Sequence, residues 1–480
     1  MRFNLLLLFC LACDSAQEYE TCTLVDSTLS FESEDLLCVQ VDMHWRAFRQ
    51  LSKQNRFGGA GSEQLQGAIG HIMTSCTEPF PDPFTYYPAE LQVGSLSLVD
   101  VGIRKKGFVG SVMTRSKDRP SLKIKADKYI EGQLVDGYEK VTLNNNLTDP
   151  TRIHTCLTYQ IFRENGYPAP RCNLANVMMN GVSLGAYTHV EDVKEAFLER
   201  EFGNADGSLY EITIVDFSLE HLQDGIGRWE PKTEATQLNE DLLIGVAEAL
   251  LSDNEDLEDE LGAVLDIDAF IRFWALETVT SHSDGYSQGS NNAFVYFDPD
   301  QNDKAIFIPW GPDDALQSMD LVNIEEEGFL ETDIFYVNGA ISRRLSQHPE
   351  LMTQYLMELE RLITVYWNED DLHNIIDQYV SLVTTVEPES EVYLDLITDF
   401  KSWIDGRHDT IESYIQSGGV EGIPGPMECY GEEDTTGMND IGDLVTAASH
   451  SCAYTSHPHQ HLWLMGPLLL CIQRRKHHTH

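Results

Sequence analysis

The 480-residue chain is short of positive charge: 32 Lys and Arg face 78 Asp and Glu, a formal net charge of -46 at pH 7. That balance argues against any polyanion held by counterion release, and so against nucleic acid as a partner. No run after the N-terminus approaches the roughly 18 apolar residues of a membrane span, which argues against a multi-spanning chain. Beyond Cys10 and Cys13 there is no Cys-x-x-Cys pair, so the spacing of a structural zinc site is missing. No Walker loop, His-Glu-x-x-His or Ser-His-Asp set stands out, and hydrolase readings have no positive support. Hydrophobic residues at 42% and charged residues at 23% also set the chain apart from disordered and collagenous proteins. Its length admits two or three domains with a large core.

What is present begins with residues 1–16, where Arg2 precedes the apolar run Leu5 to Leu8, Phe9, Cys10, Leu11 and Ala12. This reads as a signal peptide or a lipoprotein signal. Leu11-Ala12-Cys13 resembles a lipoprotein cleavage box that would leave a lipid anchor on Cys13; simple secretion and retained anchoring are the alternatives. The expected location is secreted, cell-surface or periplasmic. Setting Cys10 and Cys13 aside leaves eight cysteines, an even number that fits disulfides in an exported chain. Cys22 with Cys38 and Cys156 with Cys172 are the nearest neighbours in sequence, and the connectivity stays open.

Residues 17–90 read as an N-terminal extension with a helix around Val41 to Lys53 and a Gly-rich loop at Gly58 to Gly61. From Leu91 the pattern alternates, through Leu96, Leu98, Val101 and Ile103 and again over Ser121 to Lys125, which predicts strands. Asp149-Pro150 opens a predicted helix carrying Ile153, Leu157 and Ile161, closed by Gly166. Asn180-Gly181 between two apolar runs predicts a hairpin, and a second runs from Asn292 to Trp310 through a turn at Asp298 to Asp303. Helical spacing starts at Val193. Six of the eight residues from Asp253 to Glu260 are acidic, read as a solvated helix end or loop. Amphipathic helix dominates from Ile334 to about Ile415. Residues 417–480 read as a linker and a disordered His-rich tail, with a metal-binding tail as the alternative. Strands first and helices later predict an α+β, two-lobed body, with a strand-rich N-lobe at 91–192 and a helical C-lobe at 193–416.

The run from Asp149 to Arg171, with Phe162-Arg163, Gly166 and Pro168-Ala169-Pro170-Arg171, resembles the CotH (spore coat protein H) kinase family. Arg104 to Ser111, Pro120 to Lys125, Leu143 to Asn146, Asn180 to Glu191, Asp284-Gly285-Tyr286 with Asn291-Asn292, and Ile308 to Asp313 resemble further family blocks in the same order. The resemblance covers about residues 90 to 415. It implies an atypical protein-kinase-like fold that transfers the terminal phosphate of ATP to Ser or Thr of exported proteins, with ATP and Mg2+ or Mn2+ as cofactors and exported or cell-surface proteins as substrates.

Phosphoryl transfer needs a cation on the nucleotide phosphates, a divalent metal held by oxygen ligands, and a group that positions the acceptor hydroxyl. The resemblance assigns the phosphates to Lys123, with Lys125 on the same face; without it, Lys123 reads as a solvated strand lysine. Arg104, Gly107 and Ser111 would form the loop over the phosphates. Asp284 would accept or orient the hydroxyl proton, and Asp313 and Asn292 would hold the metal. Trp310 would stack on adenine or fill the core between the lobes. Glu191 would line a hinge beside the nucleotide or cap the following helix. Gly311 and Asp314 depart from a common family pattern, Trp-Asp-x-Asp. Thr155 stands where the family often has an acid, which leaves Lys123 without a partner in the sequence. Asp298, Asp300 and Asn302 resemble the start of a calcium loop, but Asp303 replaces its glycine and a polar turn is expected. Asn146-Leu147-Thr148 is a glycosylation sequon. Two rival functions share the fold: a catalytically inactive surface binding protein or adhesin, and a nucleotidyl transferase.

Overall fold

A computed structural model describes residues 31, 35–58, 71, 78–108, 118–223, 225–234, 238–323, 328–332 and 337–419. The export signal, most of the Gly58 to Gly61 loop, Ser111, Cys22 and the tail from residue 420 lie outside the described residues.

Seven strands form a closed barrel. They are β1 (Leu37–Asp42), β2 (Tyr87–Val93), β3 (Leu96–Lys105), β4 (Leu122–Lys125), β5 (Lys140–Asn144), β6 (Cys172–Met179) and β7 (Val182–Val190), hydrogen-bonded in the order β1-β2-β3-β4-β5-β7-β6. Alternate residues point inward, as the two-residue period of a strand requires. Val39 and Val41, Leu91 and Val93, Val101 and Ile103, Leu122 and Ile124, Val141 and Leu143, and Ala175, Val177 and Met179 make one core. The barrel closes where β1 runs parallel to β6, Leu37 opposite Ala175 and Val41 opposite Met179.

This corrects the expected organisation. The segment read as an N-terminal extension supplies β1 outright, and a boundary at residue 90 cuts through β2. A six-residue strand whose partners lie elsewhere in the chain has too little local pattern to announce itself. The expected hairpin at Asn180-Gly181 forms, with positive φ at both residues (51° and 77°), the backbone that a type I′ turn demands.

Helix α1 is Trp45–Lys53, and helix α2 (His154–Glu164) starts later than Asp149-Pro150 suggested. The buried Asp149 carboxylate accepts the amides of Thr151, Arg152 and His154, so the intervening residues form a capped turn ahead of the helix. A disulfide between Cys156 and Cys172 ties α2 to β6, one of the two neighbour pairings expected.

After the barrel come α3 (Glu195–Phe202), β8 (Ser208–Ile212), α4 (Leu219–Gln223), β9 (Trp229–Pro231), α5 (Asp241–Ala249), α6 (Leu257–Val264), α7 (Ile267–Val279), α8 (Tyr286–Gly289), β10 (Ala293–Asp298) and β11 (Lys304–Pro309). The expected β10–β11 hairpin is joined by β8 and β9 in a sheet of order β11-β10-β8-β9. Its turn is the polar one, with the Asp298 carboxylate accepting the Asp300 amide at 3.0 Å. Glu258, Asp259 and Glu260 fall in the first turn of α6, where acids suit the positive end of the helix dipole. Then follow a hairpin of β12 (Met319–Asn323) and β13 (Gly328–Thr332), and helices α9 (Ala340–Ser346), α10 (Pro349–Arg361), α11 (Glu369–Thr384) and α12 (Glu391–Gln416). A second core joins α2, α7, the β10–β11 pair and these helices through Phe162, Phe273, Trp274, Phe307, Tyr355 and Ile404.

Glu387, between α11 and α12, fastens the helical part to the barrel. Its carboxylate accepts from Arg119 at 2.7 Å, Arg152 at 3.0 Å and the Ala186 amide at 2.9 Å. At Gly185 a Cβ would lie 2.5 Å from the Glu387 carboxylate, so a glycine is needed there. Burial alone would raise the pKa of Glu387, but the two guanidiniums hold it below its ordinary value. Its contribution is therefore present above the unfolded pKa and is lost as pH falls through the lowered folded one. Glu387→Ala is expected to reduce stability in urea by about 2 kcal/mol at pH 7, with the difference shrinking towards pH 3. An equal loss at both pH values would mean that the ion pairs are not its source.

Candidate functional site

The site is built on the loop that leaves α7. Two buried groups fix that helix end. Arg407 of α12 donates from Nε to the Val279 carbonyl at 2.9 Å, satisfying a carbonyl that the helix leaves open. Glu277 turns the loop back on itself by accepting the amides of Tyr286 (2.9 Å) and Ser287 (2.8 Å). A Cβ at Gly285 would sit 2.2 Å from the same carboxylate, which is why glycine follows Asp284.

This fold-back presents His282, Ser283 and Asp284 to the segment after β11. Asp284 accepts from the side-chain amides of Asn291 (3.0 Å) and Asn292 (2.7 Å). The Ala293–Pro309 pairing sets residue 292 beside residue 310, and the Trp310 amide donates to the Asn292 carbonyl at 3.0 Å. Gly311 has φ 55°, and a Cβ there would meet the Asn292 amide oxygen at 3.0 Å, so this backbone favours glycine. Asp313 accepts from the Thr148 hydroxyl. Asp314 accepts from the Ser283 hydroxyl at 3.2 Å and lies 3.6 Å from Nδ1 of the buried His282, an ion-pair rather than a hydrogen-bond distance. His282 Nε2 faces the Trp310 carbonyl at 3.0 Å.

The electrostatics of this set are unusual. Burial, and then the neighbouring Asp314, push Asp313 up to about 6; the same two causes hold Asp284 well above the ordinary carboxylate range. Burial would lower His282, but Asp314 and Glu277 raise it to about 9, so it is an imidazolium at neutral pH. Partly buried acids crowded around one cation are short of positive charge. The Asn292 amide oxygen accepts no hydrogen bond among the described residues, and with Asp313 it offers the hard oxygen donors that Mg2+ or Mn2+ takes. Another cluster, His408, Asp409 and Glu412 on α12, brings three ligand atoms within 4.8 Å of one another, but two of its residues are exposed.

Across from the acids stand the lysines of the barrel. Lys123 on β4 lies 3.7 Å from Asp192, which also holds Lys140 at 3.6 Å. Asp192 is thus the partner that the sequence did not reveal. Glu211 on β8 pairs with Lys232 at 2.5 Å. Lys106, one residue past β3, donates to the Asn144 amide oxygen at 2.6 Å and feels the charges of both Lys123 and Asp313. Lys106 therefore stands near both the cationic barrel face and the acidic loop.

Of the residues expected from sequence, Asp284, Asn292, Trp310 and Asp313 come together, and Lys123 lies near Lys106, which also feels Asp313. Trp310 is half-buried and packs edge-to-face on Phe294, 5.1 Å between ring centroids. Gly107 follows Lys106 with φ 110°. Arg104 is engaged elsewhere, with Asp82 at 2.7 Å and the rings of Phe84 and Tyr86 under its guanidinium. Glu191 is buried in a cage of Arg171 (2.9 Å), Arg200 (2.6 Å) and the Tyr138 hydroxyl (3.1 Å), and it does not cap α3. The sequon is engaged internally: buried Asn146 accepts from the Thr188 hydroxyl at 2.8 Å, and Thr148 serves Asp313. Lys106, Asp192 and His282 were missed, although each adjoins a residue that was singled out, and Asp314 was noted as a departure from the family pattern without a role.

A family model described as CotH kinase protein matches residues 103–416. The chain is 24% identical over 246 residues to Invasin CotH2 of Rhizopus delemar, covering 47% of this chain and 41% of the relative. It is 25% identical over 235 residues to Spore coat protein homolog 1 of the same organism, covering 46% and 37%. To Inner spore coat protein H of Bacillus subtilis it is 23% identical over 243 residues, covering 47% and 63%. The matches thus span about two fifths of the invasin and of the spore coat homolog. Among the described residues no helix is long and apolar enough to cross a membrane.

Proposed function

Because the chain belongs to the CotH kinase protein family, we propose that it is an exported protein kinase of two-lobed, kinase-like design, the barrel serving as one lobe and the helical part as the other. In this reading the terminal phosphate of ATP passes to Ser or Thr of exported or cell-surface proteins. The observation that carries it is the arrangement of charge: Lys106 near Lys123 and Asp313, and Asp284 and Asp313 with pKa values raised by burial and the neighbouring Asp314. Functional carboxylates are typically poised in this way.

Asp313 and the Asn292 amide oxygen would hold Mg2+ or Mn2+, which when bound supplies positive charge to the phosphate oxygens. Asp284, oriented by the amides of Asn291 and Asn292, holds the acceptor hydroxyl and takes its proton. His282, kept cationic by Asp314, fixes the loop that carries Asp284. Trp310 offers a half-exposed aromatic face for the base. Lys123, which shares Asp192 with Lys140, borders the phosphates.

The test is transfer of labelled terminal phosphate to the protein itself and to a basic acceptor, with Mg2+ or Mn2+. Asp284→Asn is expected to lower the rate by about 10^2- to 10^4-fold while its nucleotide-induced rise in melting temperature persists. Label retained with the adenylate would indicate a nucleotidyl transferase. A folded wild type that neither transfers label nor is stabilised by ATP and metal would leave the surface binding protein, the reading favoured by the relatives named invasins.

A further inference from the structure

Among the described residues, most cations around the site are paired with a carboxylate; Lys194 donates instead to the Lys232 carbonyl at 3.2 Å, and Lys106 is the exception nearest the acid loop. Arg104 has Asp82, Lys123 and Lys140 share Asp192, and Lys232 sits between Glu211 and Glu230. Lys106 has no carboxylate within ion-pair distance; its ammonium donates to the neutral amide of Asn144. In a chain with 78 acids and 32 bases, a crowded ammonium left with a neutral partner calls for an explanation, since such a charge costs free energy unless an anion arrives.

The position is built. The Lys106 amide donates to the Ser121 carbonyl at 2.9 Å, holding the residue to the strand edge beside β4, and Gly107 turns the chain away at φ 110°. Asn144 closes the end of β5. Burial, and then the nearby Lys123 charge, bring Lys106 down to about 8, while Glu211 and Asp313 pull the other way. Lys106 thus stands between the barrel's lysine pair and the acid loop, and its side chain keeps part of its solvent access.

We propose that Lys106 is the ammonium that takes a polyphosphate oxygen at this site, the Asn144 amide aiming it, whereas Lys123 already has a carboxylate partner in Asp192, which it shares with Lys140. The anion's identity as a nucleotide polyphosphate rests on the kinase reading; the vacant cationic partner does not. Both Lys106 and Asn144 are therefore substrate-contacting or positioning residues additional to those named above.

The test uses the full chain in EDTA and measures binding of inorganic tripolyphosphate and of ATP by calorimetry. Lys106→Met is expected to weaken tripolyphosphate at least 20-fold, Lys106→Arg less than fivefold, and Lys128→Met, at a lysine resting on Tyr86, less than twofold. Asn144→Asp gives Lys106 a carboxylate, and is expected to weaken the anion at least tenfold while raising the melting temperature, an outcome that a merely unfolded variant does not produce. If tripolyphosphate binds Lys106→Met and Asn144→Asp within twofold of wild type, or does not bind wild type at millimolar concentration, the proposal is overturned. If wild type binds it through Lys106 yet transfers no label, the kinase reading falls and this one stands; if wild type transfers label and Lys106→Met does so equally well, the reverse holds.

Discussion

Asp313→Asn is expected to abolish metal-dependent phosphoryl transfer, by about 10^3-fold or more, and at the same time to make the metal-free protein more stable. The two effects share one cause. In the folded chain burial and Asp314 raise the Asp313 pKa to about 6 from an ordinary 3.8. A carboxyl whose pKa rises on folding binds its proton more tightly in the native state, so its contribution to stability is greatest below the unfolded value and declines as pH climbs through the folded one. Above pH 6 the ionised Asp313 costs roughly 2–3 kcal/mol. Asparagine carries no charge and still accepts from the Thr148 hydroxyl, so this cost disappears. In EDTA at pH 8 the variant should melt about 2–5 °C higher than wild type, with little difference at pH 4. Equal melting curves at pH 8 would show that the acid cluster is not strained as described. Transfer at more than a tenth of the wild-type rate would remove Asp313 from the metal site.

Glu191→Ala separates two accounts of a residue whose position in sequence suggests a hinge beside the nucleotide. Its carboxylate is buried and accepts from Arg171 Nε (3.2 Å), Nη2 (2.9 Å) and backbone amide (2.9 Å), and from Arg200 at 2.6 Å. Burial opposes ionisation, but these donors more than offset it and hold the pKa below its ordinary value. Removing one partner of such a set leaves two guanidiniums facing each other. Each is about a quarter exposed, at 26% and 29%, and can rehydrate in part. The expected loss is about 3 kcal/mol at pH 7, falling away as pH drops through the lowered folded pKa, with KM for ATP unchanged within twofold. A rise in KM of tenfold or more with stability intact would return Glu191 to the nucleotide site.

Local chemistry made much of this fold readable. The left-handed Asn180-Gly181 pair, the Asp298 turn and the apolar spacing of Ile153, Leu157 and Ile161 each carry their structure within a few residues. The family blocks likewise mark Asp284, Asn292 and Asp313, which the structure brings together. What escaped depends on distance along the chain. β1 and β8 are short and take their place from partners far away, and barrel closure has no local signature. Lys123 on β4 and Asp192, just past β7, meet across the intervening β5, which spacing does not encode. Arg104 and Lys106 lie on alternate residues of one strand edge, and only the position of Asp82 decides that Arg104 is engaged there while Lys106 meets Asn144.

The parallel seam between β1 and β6 also governs how the chain can be made. Residues 37–42 are synthesised first, and their partner at 172–179 follows roughly 130 residues later, so the nascent barrel carries unpaired strand edges for that whole interval. A recombinant fragment trimmed to the family match at residue 103 would make this state permanent. It would lack β1, β2 and most of β3, and the exposed edges of the β3 remnant and β6 would template association between copies. A soluble, foldable domain therefore has to begin ahead of Leu37.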